Sequence, residues 1–291
     1  MTTTTTSQPA KASGEFLLGG TLPVTRLGFG AMRITGPGVW GDPKDPDEAV
    51  RTLRRAVELG VNFIDTADAY GPFVSELLIN KALRPYSDDL VIATKAGFTR
   101  SGPNDWRAVG RPEYLRQQVM LSLRHLGLEQ IALLQLHRID PKVPLADQVG
   151  ELKLLQEEGK IAHIGLSEVS VAELEQARAI ADIVSVQNRY NIADRAAEDV
   201  LDHSAASNIA FIPWNPLAVG KLAEAGGPLQ VVADKYGATP SQLALAWLLR
   251  RSPVMLPIPG TSTASHVEEN IAAAEVSITD AEFQDLQDAV K

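Results

Sequence analysis

The chain contains no cysteine in its 291 residues. That excludes disulfides, thiolate metal centres and a cysteine nucleophile, and it suits a reducing compartment, so the cytoplasm is the expected location. There is no run of basic residues, and the formal net charge is −9. Duplex binding rests on clustered Lys and Arg that release counterions, so no nucleic-acid partner is expected. No apolar stretch reaches the roughly 20 residues of a membrane-spanning helix, and the Thr/Ser/Gln/Pro tract at residues 1–11 lacks the charged and apolar regions of a signal peptide. No His, Asp and Glu cluster has metal-ligand spacing, so no metal is expected.

Hydrophobic residues make up 45% and charged residues 22%, the balance of a chain that buries a large core. We expect a disordered tail over residues 1–13 and one domain over 14–291. Short apolar runs at 27–30, 61–65, 90–95, 131–137, 161–167, 183–187, 209–214 and 255–259 alternate with amphipathic helical patterns. Asp47 is the expected cap of the first helix, which stops at Gly60, and Ser170, Thr239 with Pro240, and Thr279 begin others. Eight βα units over about 250 residues favour a (β/α)8 TIM barrel over an open doubly wound sheet. Ahead of the first unit, residues 15–18 and 21–25 around Gly19-Gly20 predict an N-terminal β-hairpin that could plug the barrel bottom.

In such a barrel the reactive groups sit at the C-terminal ends of the strands and in the loops after them. That rule selects Asp65 and Tyr70 after the second run, Lys95 at the end of the third and His137 at the end of the fourth. Tyrosine, with an ordinary pKa of about 10, is a weak acid at neutral pH and needs help to transfer a proton. An adjacent ammonium would supply it by stabilising phenolate, with Asp65 holding Lys95 charged and His137 polarising a substrate carbonyl. Singly, each residue has a structural explanation: a turn or cap for Asp65, loop packing for Tyr70, a snorkelling stem for Lys95, a core position for His137. Together they point to proton transfer.

The residues Asn62-Phe63-Ile64-Asp65-Thr66-Ala67-Asp68-Ala69-Tyr70-Gly71, Ile92-Ala93-Thr94-Lys95 and Leu133-Leu134-Gln135-Leu136-His137 resemble the aldo-keto reductases. So do Ile164-Gly165-Leu166-Ser167, Val186-Gln187-Asn188 and Ile258-Pro259-Gly260-Thr261, in that order along the chain, most closely in a microbial branch that includes pyridoxal reductases. The resemblance implies a catalytic tetrad of Asp65, Tyr70, Lys95 and His137, and reduction of an aldehyde or ketone by NADPH, with NADH possible. It implies cofactor contacts from Gly30 and Met32, a carboxamide held by Ser167 and Gln187, and an aromatic ring, Trp214, stacked on the nicotinamide. Leu217, Gly220 and Lys221 fall over the pyrophosphate, and Gly260, Thr261, Ser262, His266, Glu269 and Asn270 at the adenosine phosphate. His266 stands where better-known members carry arginine, Gly260 where they carry a basic residue, and Glu168 where many have asparagine. Trp40 and Trp106 are expected either to wall the substrate pocket or to pack within their loops.

Three other readings were weighed. A Rossmann dehydrogenase needs a third glycine that Gly28-Phe29-Gly30-Ala31-Met32-Arg33 lacks. A Schiff-base lyase needs a lysine of lowered pKa, which Asp65 opposes. A cofactor-binding, redox-sensing regulatory subunit remains as the alternative to an enzyme. The expected partner is a small carbonyl substrate, and the expected state a monomer or small homo-oligomer.

Overall fold

Apolar runs too short for helices, with no polar face to give to water, become parallel strands covered on both sides. The computed structural model describes residues 7–218 and 229–290. Among these, seven strands form one parallel sheet in sequence order: β3 (Phe29–Gly30), β4 (Phe63–Asp65), β5 (Val91–Ala96), β8 (Ile131–Leu136), β9 (Ile161–Ser167), β10 (Ile183–Gln187) and β11 (Ala210–Phe211). Registers such as Ile64 on Ile92, Ala93 on Leu133 and Leu166 on Val186 bring the polar residues at the strand ends to one rim.

The eighth expected strand, 255–259, closes the ring without being a regular strand. Met255 bridges Phe211, and Leu256 N–H donates to Phe211 O at 2.8 Å. On its other side, Gly28 and Gly30 N–H donate to Pro257 O and Pro259 O at 2.9 and 3.2 Å. Residues 257 and 259 are prolines with no N–H to return, so the ladder there runs one way. The result is a (β/α)8 barrel.

Helices α1 (Pro46–Glu58), α2 (Val74–Leu83), α3 (Pro112–Leu126), α4 (Leu145–Glu157), α5 (Val171–Arg178), α6 (Glu198–Ala206), α8 (Pro240–Arg251) and α9 (Ala264–Ala272) cover the sheet, with α7 (Gln230–Tyr236) and α10 (Asp280–Ala289) beside them. Capping boxes start α5 at Ser170, α8 at Thr239 and α10 at Thr279, as the sequence predicts. The first helix begins earlier than expected. Asp45, not Asp47, accepts from Glu48 N–H at 2.9 Å, because Pro46 fits the first helical position. Among the described residues no helix is long and apolar enough to cross a membrane.

The hairpin β1 (Glu15–Leu18) and β2 (Leu22–Thr25) lies at the N-terminal end of the barrel, with Thr25 N–H bonded to Asn62 Oδ1 at 2.7 Å just before β4. Its turn lies on the His163 ring. The expectation of disorder through residue 13 needs correction, since Pro9–Ser13 form a 3-10 turn. Ala10 is buried and donates to Leu59 O at 3.1 Å, while Ser13 Oγ accepts from Leu27 N–H at 3.0 Å. These tertiary bonds override a composition that reads as coil. A further hairpin, β6 (Phe98–Thr99) with β7 (Arg107–Ala108), rises from the rim after β5.

Barrel closure makes a specific demand at Gly30, where an added Cβ would stand 2.6 Å from Ile258 O. Gly30→Ala should therefore destabilise the fold by about 1–3 kcal/mol, through overpacking and a strained bond to Pro259. An unchanged urea midpoint would show that this seam tolerates a methyl group.

Candidate active site

Asp65 ends β4 and Lys95 falls near the end of β5, and neighbouring parallel strands bring them together inside the rim. Lys95 Nζ donates to Asp65 Oδ2 at 2.6 Å and to Thr66 O at 2.8 Å, with both ionic side chains at most 2% exposed. The other carboxylate oxygen accepts from Gln135 Nε2 at 3.0 Å and Gln187 Nε2 at 2.8 Å. A buried carboxylate is tolerable only when its lone pairs are met in this way. Lys95 Nζ also reaches Tyr70 OH at 3.4 Å.

Tyr70 and His137 meet edge to face, with ring centroids 5.9 Å apart. Phe98 and Trp106 from the β6/β7 hairpin pack on the same rings, Phe98 at 4.6 Å from His137 and Trp106 at 6.3 Å from Tyr70. Trp106 is thus in the wall of this site. Trp40 pairs with Gly71, next to Tyr70, and lies 5.8 Å from the Arg100 guanidinium. Arg100 lies 3.5 Å over Trp106 and donates to Val39 O, Ala69 O, Gly38 O and Asp105 O at 2.7–3.0 Å. One guanidinium fastens the loops after β3, β4 and β5 to each other.

Burial raises the Tyr70 phenol above its ordinary value, with Lys95 opposing that rise. The expected lowering by Lys95 is therefore present but smaller than the cost of burial. Burial would depress Lys95, yet Asp65 and Tyr70 leave it above its usual value, firmly an ammonium. His137 is held well below its ordinary range by burial and by Lys95, Arg138 and Arg100, so its imidazole is neutral. Asp68, buried in the same loop, is pushed well up by burial and by the nearby Glu76.

The sequence did not single out Gln135, Phe98, Arg100 or Arg138 as site residues. Gln135 had a signal, being two residues before His137 and so on the same strand face. The other three sit where loop geometry decides.

The residues expected at a cofactor fall into groups. Ser167 Oγ accepts from Arg138 Nη1 at 3.0 Å, whereas the Gln187 amide turns inward to Asp65, so these two do not converge on one point. Trp214 donates through Nε1 to Glu168 Oε1 at 2.5 Å, and Leu217 packs against the core. Gly220 and Lys221 lie outside the described residues. Met32 and Ser262 line a cavity of about 510 Å³ with Arg33, Lys44, Asn104 and Thr263, while Arg33 Cγ stands 3.6 Å from where a Gly260 Cβ would be. Thr261 is buried, with Oγ1 3.4 Å from His266 Nδ1. His266, Glu269 and Asn270 do not line that cavity, and the Glu269 carboxylate is engaged by Thr239 Oγ1 at 2.9 Å.

The donor set suits a phosphorylated nucleotide. Thr263 Oγ1 is buried without a partner at the start of α9, beside the Ser262 hydroxyl and the side chains of Arg33 and Lys44. Glu48 Oε1 already takes Ala264 N–H at 2.9 Å, but Arg51 neutralises it at 2.8 Å.

The family model for the aldo/keto reductase family matches residues 26–291. The chain belongs to this family. As an aldo-keto reductase it is an oxidoreductase that works with a nicotinamide cofactor on small carbonyl compounds. It is 51% identical to an uncharacterized oxidoreductase of Schizosaccharomyces pombe over 272 residues, 94% of this chain and 89% of the relative. It is 44% identical to pyridoxine 4-dehydrogenase of Escherichia coli over 275 residues, 92% of this chain and 96% of that one. Among solved structures, the glycerol dehydrogenase of Gluconobacter oxydans superposes with TM-score 0.88 at 27% identity, over 96% of this chain and 95% of the other. An aldo-keto reductase of Klebsiella pneumoniae in complex with NADPH gives 0.79 at 26%, over 94% and 93%.

Asp68 provides a test of the electrostatics that is independent of turnover. Its folded-state pKa lies above the unfolded value of about 3.9. Its contribution to stability is thus complete below that value and is lost as pH rises through the folded pKa. Asp68→Asn should unfold at higher urea than the parent, by a margin that widens with pH by up to about 1.4 kcal/mol per unit. The opposite dependence of the depressed His137 cancels between the two proteins. A margin independent of pH would contradict the raised carboxyl.

Proposed function

We propose that this aldo-keto reductase reduces an aldehyde or ketone to the alcohol with NADPH, Tyr70 being the proton donor, and that its substrates include pyridoxal. The observation that carries the reaction is Lys95 Nζ, placed between Asp65 Oδ2 at 2.6 Å and Tyr70 OH at 3.4 Å. When bound, the cofactor supplies the hydride to the carbonyl carbon. The rest is the work of the side chains. Burial keeps Tyr70 protonated until it is needed, and the fixed ammonium of Lys95 stabilises the phenolate left once the proton has moved to the carbonyl oxygen. Neutral His137 can hydrogen-bond that oxygen without competing as an acid. Phe98 and Trp106 provide an apolar wall that excludes water and suits a flat substrate.

The support for pyridoxal is the 44% identity to pyridoxine 4-dehydrogenase, spread over 96% of that protein. For NADPH over NADH the support is charge: Arg33 and Lys44 line the cavity and form no ion pair among the described residues. On this reading the phosphate partners are Arg33 and Lys44 rather than His266, which does not line the cavity.

Lys95→Met should lower kcat on pyridoxal roughly 100-fold or more, and Tyr70→Phe similarly, with cofactor affinity little changed by the latter. Stopped turnover at 340 nm, about the absorbance maximum of reduced nicotinamide, reads both. Unimpaired kcat in either variant would remove that residue from the proposed chemistry. Because Lys95→Met leaves Asp65 buried without its cation, circular dichroism must accompany it.

For the cofactor, Arg33→Ala should weaken NADPH roughly fivefold and NADH hardly at all, as expected for one exposed charge pair. His266→Ala should change the NADPH to NADH ratio less. Fluorescence titrations decide between them, and the reverse ranking would restore His266 as the phosphate's partner.

A further inference from the structure

Glu168 stands directly after β9 at the rim, with its backbone in an uncommon conformation. It adopts φ of +56°, in the left-handed region that a glutamate enters only when its surroundings fix it. The fixing bonds are clear. Glu168 N–H donates to Gln187 O at 3.0 Å, tying the end of β9 to β10. Its carboxylate oxygen Oε1 then accepts twice, from Arg189 N–H at 2.7 Å and from the Trp214 indole Nε1 at 2.5 Å. Trp214 is held from other directions as well. Its backbone N–H donates to Asn188 O at 3.1 Å, and the Arg189 guanidinium stands 5.9 Å over its ring. That guanidinium is itself taken by Asp194 at 2.8 Å, so it forms no salt bridge with Glu168.

We infer that Glu168 is a positioning residue for the cofactor. It acts through Trp214, locking the indole by its edge, and it sets a negative charge beside the ring on which the nicotinamide stacks. This rests on the proposed role of Trp214 as that stacking ring. Two consequences follow, one geometric and one electrostatic. An indole fastened by a charge-assisted bond loses the freedom to turn, so its face is presented without an ordering cost at binding. A carboxylate near the nicotinamide attracts the oxidised ring, which is positively charged, more than the neutral reduced ring. An asparagine at this position could do neither in the same way. Glu168 thereby tilts the affinity of the cofactor site toward the oxidised form.

Glu168→Gln and Glu168→Ala separate the two effects, because glutamine keeps an acceptor for the indole but removes the charge. Trp214→Phe keeps a stacking ring without the N–H. Dissociation constants for NADP+ and NADPH are measured by fluorescence titration of the full-length protein, with the Trp214 emission assigned by difference from Trp214→Phe. Glu168→Ala should weaken both forms roughly tenfold and shift that emission. Glu168→Gln should leave NADPH close to the parent and weaken NADP+ roughly fivefold. In a Trp214→Phe background the loss common to both forms on Glu168→Ala should disappear, since the bond it removes is already gone. The inference is overturned if Glu168→Ala leaves both constants within twofold, or if its effect is undiminished without the indole. Failure of the unaltered protein to bind either nucleotide would overturn the reductase reading itself, whereas normal binding with indifferent Glu168 variants sinks only this inference.

Discussion

The organising interaction is the buried ion pair of Lys95 and Asp65. Two charges removed from water cost several kcal/mol each, and leaving either unpaired costs about 3–5 kcal/mol. Asp65 offsets its own cost by accepting from Lys95, Gln135 and Gln187. Those four residues come from β4, β5, β8 and β10, so the pair can exist only when half the barrel is correctly registered. A register slip of one residue would turn every member to the opposite face. Chemistry and fold are here the same constraint, and Tyr70 draws on it through the spare reach of Lys95 Nζ.

The rim is arranged around a surplus of positive charge. Lys95 is matched by Asp65, but Arg100 and Arg138 have no carboxylate within salt-bridge distance among the described residues, and both depress His137. Arg100 is satisfied by backbone carbonyls instead. Its charge is spent on holding loops, while its field adds to the burial and to the charges of Lys95 and Arg138 that keep the imidazole neutral. The same side chain therefore shapes the aromatic wall and contributes to the protonation state of the histidine that the wall encloses.

How much of this was legible beforehand follows from where the information resides. Strand ends are local: an apolar run that stops at Asp65, Lys95 or His137 announces a rim residue in any closed βα barrel, and the family resemblance ordered those residues into a set. Caps are local too, and three capping boxes fall where Ser170, Thr239 and Thr279 predict them. One local reading missed by two residues, the first helix being capped by Asp45 and not Asp47, and the other failures are long-range. Pro9–Ser13 looks like coil until Leu59 O accepts from it and Leu27 N–H donates to it, and the 255–259 segment looks like a strand until its prolines meet the first strand. The β6/β7 hairpin, which brings Phe98 and Trp106 to His137, lies in a stretch whose glycine and proline content reads only as loop. At Gly260 the sequence shows only a missing side chain, and it takes the structure to show that Gly30 O stands 2.5 Å from where a Cβ would be and that Arg33 lies beside the spot.

The seam around Gly260 shows how two backbones decide what a position can carry. A side chain at 260 would strike Gly30 O at 2.5 Å, because the one-way seam between the first strand and the proline segment draws the two backbones together. The close seam leaves no room for a side chain at 260, and Arg33, from the loop after β3, reaches within 3.6 Å of that point through its Cγ. A similar pairing links Glu168 and Trp214, where an indole N–H and the carboxylate that accepts from it come from the loops after β9 and β11, across the end of β10. In both places a residue is explained by its partner on another strand end, so the rim of this barrel is built from pairs of loops and cannot be read one position at a time.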